Sequence, residues 1–257
     1  NDWERSNAWR YRDYVVRSFN DDKPYDQFIE EQIAGDELLQ QAQHGRQGPP
    51  TAAESEWLIA AGFLRMGPWE HTAMSPDKVS RQLFLDDLVN SIGQTFLSTA
   101  LRCCRCHDHK FDPIPTRDYY RIYAAVATTQ LAERPAAFLT EENRNGFAAN
   151  RRHADELLEF ASSQRNALYA KREAAARKWY AERGREKDYV NFNQRRRLPA
   201  GNKPPRFIGL TSAEQGTLKV WEQDTRIWTR RQERFLPLAQ SVYAGGDLYQ
   251  KSIRLRM

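Results

Sequence analysis

The chain has 257 residues, 40% hydrophobic and 28% charged, with a formal charge of +5 and a mean hydropathy of −0.82. That length allows one large domain or two small ones with a real core. The mild charge gives no reason to expect a nucleic-acid partner, and no apolar run reaches the ~20 residues of a membrane span.

Taken in chain order, the sequence reads as all-α. Ala8, Tyr11, Val15 and Phe19 lie at helical spacing in a first helix over 7–19. Asp22-Lys23-Pro24 opens a second, with Pro near its first turn, which runs through Phe28, Ile29 and Ile33 to an expected stop at Gly35. A Gly/Pro-rich loop over 44–50 leads to a third helix over 52–64, which Gly67-Pro68-Trp69 ends. After an irregular segment through Met74, Ser75-Pro76 reads as a cap with Pro at the first helical position. The helix that follows carries Val79, Leu83, Leu88, Ile92, Phe96 and Leu97.

All three cysteines then fall within Cys103-Cys104-Arg105-Cys106, followed by His107. They are too few and too close for a disulfide framework. Read from Cys103, the run is C-x-x-C-H, the attachment signature of a c-type haem. On a helical turn the thiols of Cys103 and Cys106 face one way, and His107 follows as a proximal iron ligand. Counting from Cys104, the third position on is His107 rather than cysteine, so Cys104 is the spare thiol, aimed away from the other two. Zinc on Cys103, Cys106, His107 and His109 would draw four ligands from seven residues, whereas structural zinc takes them from separated pairs. Simple structural cysteines are the third reading.

For the second axial position Met74, Met66, His71 and His109 are candidates. Met74 is preferred, in a loop beside Trp69 and His71; Met66 reads as core packing. His109 is too close to His107 to reach the other haem face, and is assigned to the surroundings of the haem, bonding a propionate or a carboxylate. Asp86, Asp87, Asp108, Asp112 and Asp118 cluster about the motif. A calcium site would need them to converge; helix capping and pairing with Arg102, Lys110 and Arg117 is the preferred reading.

His109 to Pro115 is too Pro-rich for helix. Thr116 is expected to cap a helix over 117–129. Beyond Pro135 the composition shifts to Arg, Glu, Ala and Gln, with a thin stripe of Leu157, Ala161 and Leu168. A loop with Arg195-Arg196-Arg197 and Pro204-Pro205 reads as a solvated basic tip, and Thr211-Ser212-x-Glu214 opens a last helix with Leu218, Trp221, Thr225, Trp228 and Phe235 on one face. Two long helices joined by a loop suggest an antiparallel hairpin. The boundaries expected are 1–135 for the haem domain, 136–240 for the hairpin, and 241–257 for a linker toward a further domain.

Beyond C-x-x-C-H, a wider set of residues resembles the planctomycete cytochrome C family, the haem-c domain that precedes a large domain of unknown function in exported planctomycete proteins. Leu85-Asp86-Asp87-Leu88-Val89-Asn90, Gly93-Gln94-Thr95-Phe96-Leu97, the run from Cys103 to Pro115, and Asp118-Tyr119-Tyr120 carry it. So do Asn7 to Tyr14, Lys23 to Phe28, and Gly62-Phe63-Leu64-Arg65 with Gly67-Pro68-Trp69. The likeness covers about residues 7 to 130. It implies one covalent haem c on Cys103 and Cys106, with His107 on the iron, in an exported, periplasmic or cell-surface protein. The family begins further upstream with a helix rich in Trp, His and Arg, so Asn1 is expected to lie inside a longer chain. The functional expectation is electron transfer to or from a redox partner or another domain of the same protein. An open-iron haem enzyme acting on a small oxidant or a glycan-related substrate, and a structural interaction module, are the alternatives.

Overall fold

A computed structural model of the chain describes residues 5–46, 48–68, 75–143 and 146–244. The fold is mostly helical: 65% helix, with eight α-helices and one two-stranded sheet among the described residues. It divides into two compact units, one formed by 1–144 with 236–257 and the other by 145–235. The breaks between the units fall at 144/145 and 235/236.

The first unit opens with α1 (Ala8–Asn20), α2 (Tyr25–Ala42) and α3 (Ala52–Ala60). Gly35 does not end α2. The helix breaks geometry at Ala34 and continues to Ala42. Gly35 serves close approach instead, because a Cβ there would lie 2.2 Å from Trp57 O on α3. Thr51 starts α3 with a reciprocal capping box to Glu54. The helix then tightens into a 3-10 turn over Ala61–Arg65, where one continuous helix was expected.

Next come α4 (Asp77–Phe96) and α5 (Thr116–Val126). The helix expected over 117–129 is shorter in a fold that is otherwise mainly α. The chain leaves helix at Val126 and forms β1 (Thr129–Pro135), paired antiparallel with β2 (Leu238–Ala244), so that Thr129 faces Ala244 and Pro135 faces Leu238. The first strand and its lead-in are held by two arginines. Arg81 Nη2 donates to Ala127 O (2.9 Å) and Thr129 O (2.5 Å), and Arg65 Nη1 donates to Ala132 O (3.0 Å).

Two apolar clusters fill this unit. One gathers Leu64, Phe84, Leu85, Leu88, Val89 and Ile92 with Leu101, Cys104, Tyr119, Leu131 and Val242. The other gathers Tyr14, Leu39, Leu58 and Ile59 with Leu139 and Ala239. Each such fully buried aliphatic or aromatic side chain contributes about 1.5–3 kcal/mol. Arg10 crosses the second cluster completely buried. Its guanidinium forks onto Glu142 (2.8 and 2.9 Å) and donates to the carbonyls of Ala136, Ala137 and Leu238. Every donor is used, as a buried cation requires.

The second unit contains α6 (Phe147–Ala181), the short α7 (Phe192–Arg195) and α8 (Ser212–Glu233). The side-chain hydrogen bonds between α6 and α8 run in opposite chain order: Asp155 with Gln232, Tyr169 with Glu222, Lys171 with Glu214. Ala161, Ala176, Leu218 and Thr225 form the thin buried stripe.

Candidate functional site

In the first unit Cys103 and Cys104 sit on a 3-10 turn, Leu101–Arg105, that follows α4, and Cys106 is the residue that ends it. Gly93, in the last turn of α4, lets this turn approach: a Cβ there would lie 2.4 Å from Leu101 Cγ and 2.7 Å from Thr99 O. Leu101 and Cys104 point into the core, where both are fully buried. Cys103 and Cys106 are exposed. In a 3-10 turn the side chains at i and i+3 eclipse, and Cys106 N donates to Cys103 O at 3.3 Å, so both thiols share the outer face. Burial pushes the Cys104 thiol up, reinforced by the charges of Cys103 and Asp108, and holds it neutral and unreactive.

His107 is exposed. Its Nδ1 lies 2.7 Å from Asp108 O, the contact of an Nδ1–H donor, which leaves Nε2 outward and unused. His109 is turned inward. Its amide donates to Ile114 O (2.8 Å), and its Nδ1 meets the amides of Asp112 (3.1 Å) and Phe111 (3.4 Å) and Asp112 Oδ2 (3.0 Å). One nitrogen either accepts from the amides or donates to the carboxylate. In both tautomers its Nδ1 is used within its own turn. Met74 and His71 lie outside the described residues. Met66 is 37% exposed rather than packed in the core, and it lines a cavity of about 260 Å³ with Phe63, Phe84, Leu88 and Asp87.

The carboxylates divide the work. Asp86 is buried and accepts from Tyr119 Oη (2.6 Å) and Arg105 Nη1 (3.2 Å), with Arg102 Nε at 3.4 Å. Burial pushes the Tyr119 phenol far up, and the Asp86 carboxylate adds to it. Asp87 pairs with Arg102. Arg105 pairs with Asp86 alone among these carboxylates. Asp108 rather than Thr116 caps α5, its Oδ1 accepting from Thr116 N at 2.8 Å. Asn90 Oδ1 accepts from Arg102 N (3.1 Å) and Tyr120 Oη donates to Arg105 O (3.1 Å). The sequence reading missed Asn90 and Arg105 as supports of the turn. The signal was present: Asp86, Asn90 and Gly93 are spaced i, i+4, i+7, one helix face, and all three meet the cysteine turn. Among the described residues no group of three or more His, Cys, Asp or Glu side chains converges to hold a metal ion.

These features define a mostly helical protein with a surface dithiol turn backed by a buried carboxylate. Residues 1–131, just over half of the chain, match PSCyt2, a protein family of unknown function (DUF1549), and the chain belongs to that family. The family name is planctomycete and cytochrome-related. No curated protein and no solved structure matches the chain.

Proposed function

We propose that this chain is an exported, mono-haem c-type cytochrome domain that passes electrons to or from another domain of the same protein or a separate redox partner. The carrying observation is the division of the three cysteines: Cys103 and Cys106 present their thiols on one outer face, while Cys104 is buried. That donor set, with an outward Nε2 on the next residue, fits a group held by two thioethers and one imidazole. Haem c would supply a one-electron iron centre.

Cys103 and Cys106 would hold its edge and His107 Nε2 the iron. Asp108 O, by accepting from Nδ1–H, would fix the imidazole's tautomer and raise its basicity. Arg102 and Arg105, both exposed and anchored on Asp86 and Asp87, would offer their remaining guanidinium N–H groups to propionates. Asp86 and Tyr119 position those arginines from the core side. On sequence grounds Met74 would be a second side chain to hold the iron.

The test is intact mass and a haemochrome spectrum on protein matured with a haem-attachment machinery. One covalent haem is expected on the native chain and on Cys104→Ser, and none on Cys103→Ala with Cys106→Ala. Absence of covalent haem on the native chain would end the proposal. A six-coordinate low-spin spectrum that ignores carbon monoxide supports electron transfer; a high-spin spectrum that responds to it supports the enzyme reading instead.

A further inference from the structure

The basic run Arg195-Arg196-Arg197 does not form a uniform solvated tip. Arg195 is buried and forks onto Glu173 (Nη1–Oε2 2.9 Å, Nη2–Oε1 2.5 Å), with a further bond from Nη1 to Val190 O (2.7 Å). Tyr189 Oη donates to the same carboxylate at 2.7 Å. A reciprocal box between Asn191 and Gln194 fixes the turn into α7. The Arg172 guanidinium lies 3.6 Å from the centre of the Phe192 ring. This part of the second unit is therefore a rigid wall, and Arg195 is one of its bricks.

Against that wall lies a cavity of about 220 Å³. Phe192, Pro204 and Ile208 give it an apolar lining, and Arg196, Lys203 and Arg206 line it with cations. No carboxylate lines it. Lys203 Nζ donates only to a neutral acceptor, Arg196 O at 3.1 Å, and the Arg206 guanidinium lies over the ring of its neighbour Phe207. Among the described residues none of these three cations has an ion-pair partner, whereas Arg195 beside them is fully paired. Like charges gathered about one cavity repel, and an anion placed between them turns that repulsion into attraction. The wider field has the same sign. Residues 145–235 hold 20 Lys and Arg against 11 Asp and Glu, a formal +9, while the rest of the chain holds 19 against 23, a formal −4.

Size limits the ligand. The cavity is smaller than the ~300–1,000 Å³ of sites for drug-sized molecules. Bare inorganic anions would leave the Phe192, Pro204 and Ile208 surface unused. We infer that this cavity binds a small organic acid: one planar oxyanion, held by Arg196, Lys203 and Arg206, on a ring-sized apolar body seated against Phe192, Pro204 and Ile208.

The probe is benzoate, titrated by calorimetry and by amide NMR into the full chain at moderate salt. One saturable site with a Kd of about 1 mM or tighter is expected, with inorganic phosphate at least tenfold weaker and neutral benzamide showing no saturation. Lys203→Gln with Arg206→Gln should weaken benzoate at least tenfold while leaving circular dichroism unchanged, since both side chains reach solvent. Arg151→Gln with Arg152→Gln, at the opposite end of α6, removes the same charge and should leave binding within twofold. Equal losses in the two double variants, or equal binding of benzamide, would overturn the site. So would the absence of saturable benzoate binding alongside salt-sensitive binding of heparin, which would mark a diffuse polyanion surface.

Discussion

The two units are built from opposite materials. The cysteine-bearing unit is acidic overall, yet its charges are deep: Arg10, Glu31, Arg81, Asp86 and Glu142 are all buried. They tie together segments distant in sequence, as Arg10 does with Glu142 and with Leu238 O. The two-helix unit is strongly basic, keeps most of its charge at the surface, and is held by a thin stripe of small residues and edge-on aromatic pairs. Its contacts repeat along two helices, so each carries little. In the first unit a single buried polar link decides which segments meet, and its loss leaves a charge stranded in the core.

That contrast breaks first at Arg10. Arg10→Met strands Glu142 and should cost about 3–5 kcal/mol in urea unfolding, with most of it returned when Glu142→Leu is added; a cost under about 1 kcal/mol would remove the distinction between the units. Thiol labelling comes next. Cys103 and Cys106 should react at once in the haem-free protein, while Cys104 reacts about a thousandfold slower or more, at the rate of global opening, for a domain of ordinary stability. Tyr119→Phe deprives the buried Asp86 carboxylate of its 2.6 Å bond, and about 1.5–3 kcal/mol should follow in thermal unfolding.

In the basic unit the effects shrink. Burial pushes the Glu173 carboxyl up, but the bonds from Arg195 and Tyr189 outweigh it and hold it below the ordinary 4.5. Its stabilising contribution is therefore complete above pH 4.5 and is lost as pH falls through the lowered value. Glu173→Gln should flatten that acid limb in a pH series of helix-unfolding curves. Least of all, Lys171→Ala opens a half-exposed pair with Glu214 and should change stability by under about 0.5 kcal/mol.

Local chemistry was legible in the chain. The Thr211/Glu214 box stands where the sequence put a helix start, and the three-residue spacing of Cys103 and Cys106 already set Cys104 apart. Long-range pairing was not. Arg10 reads as an ordinary polar position on α1 until the fold brings Glu142 to it from 132 residues away. Thr129–Pro135 has no strict alternation and ends in proline, so nothing local marks it as a strand; β2 supplies the reason. Gly35 misled because its role is close approach to Trp57, which helix-stop rules do not contain. At His109 the sequence could not show that Asp112, three residues on, meets its Nδ1 through both amide and carboxylate.

The ribbon of β1 and β2 also sets a schedule for synthesis. Its strands bracket the whole two-helix unit, so β1 leaves the ribosome before residues 145–235 and its partner only after them. The long helices rest on local contacts and can form early. The cysteine-bearing unit must wait, with Leu131 and the Arg10 site open, until Leu238–Ala244 is made. A pause or cleavage upstream of Leu238 would strand that unit half closed, with an unpaired strand edge, the kind of species that nascent-chain chaperones hold.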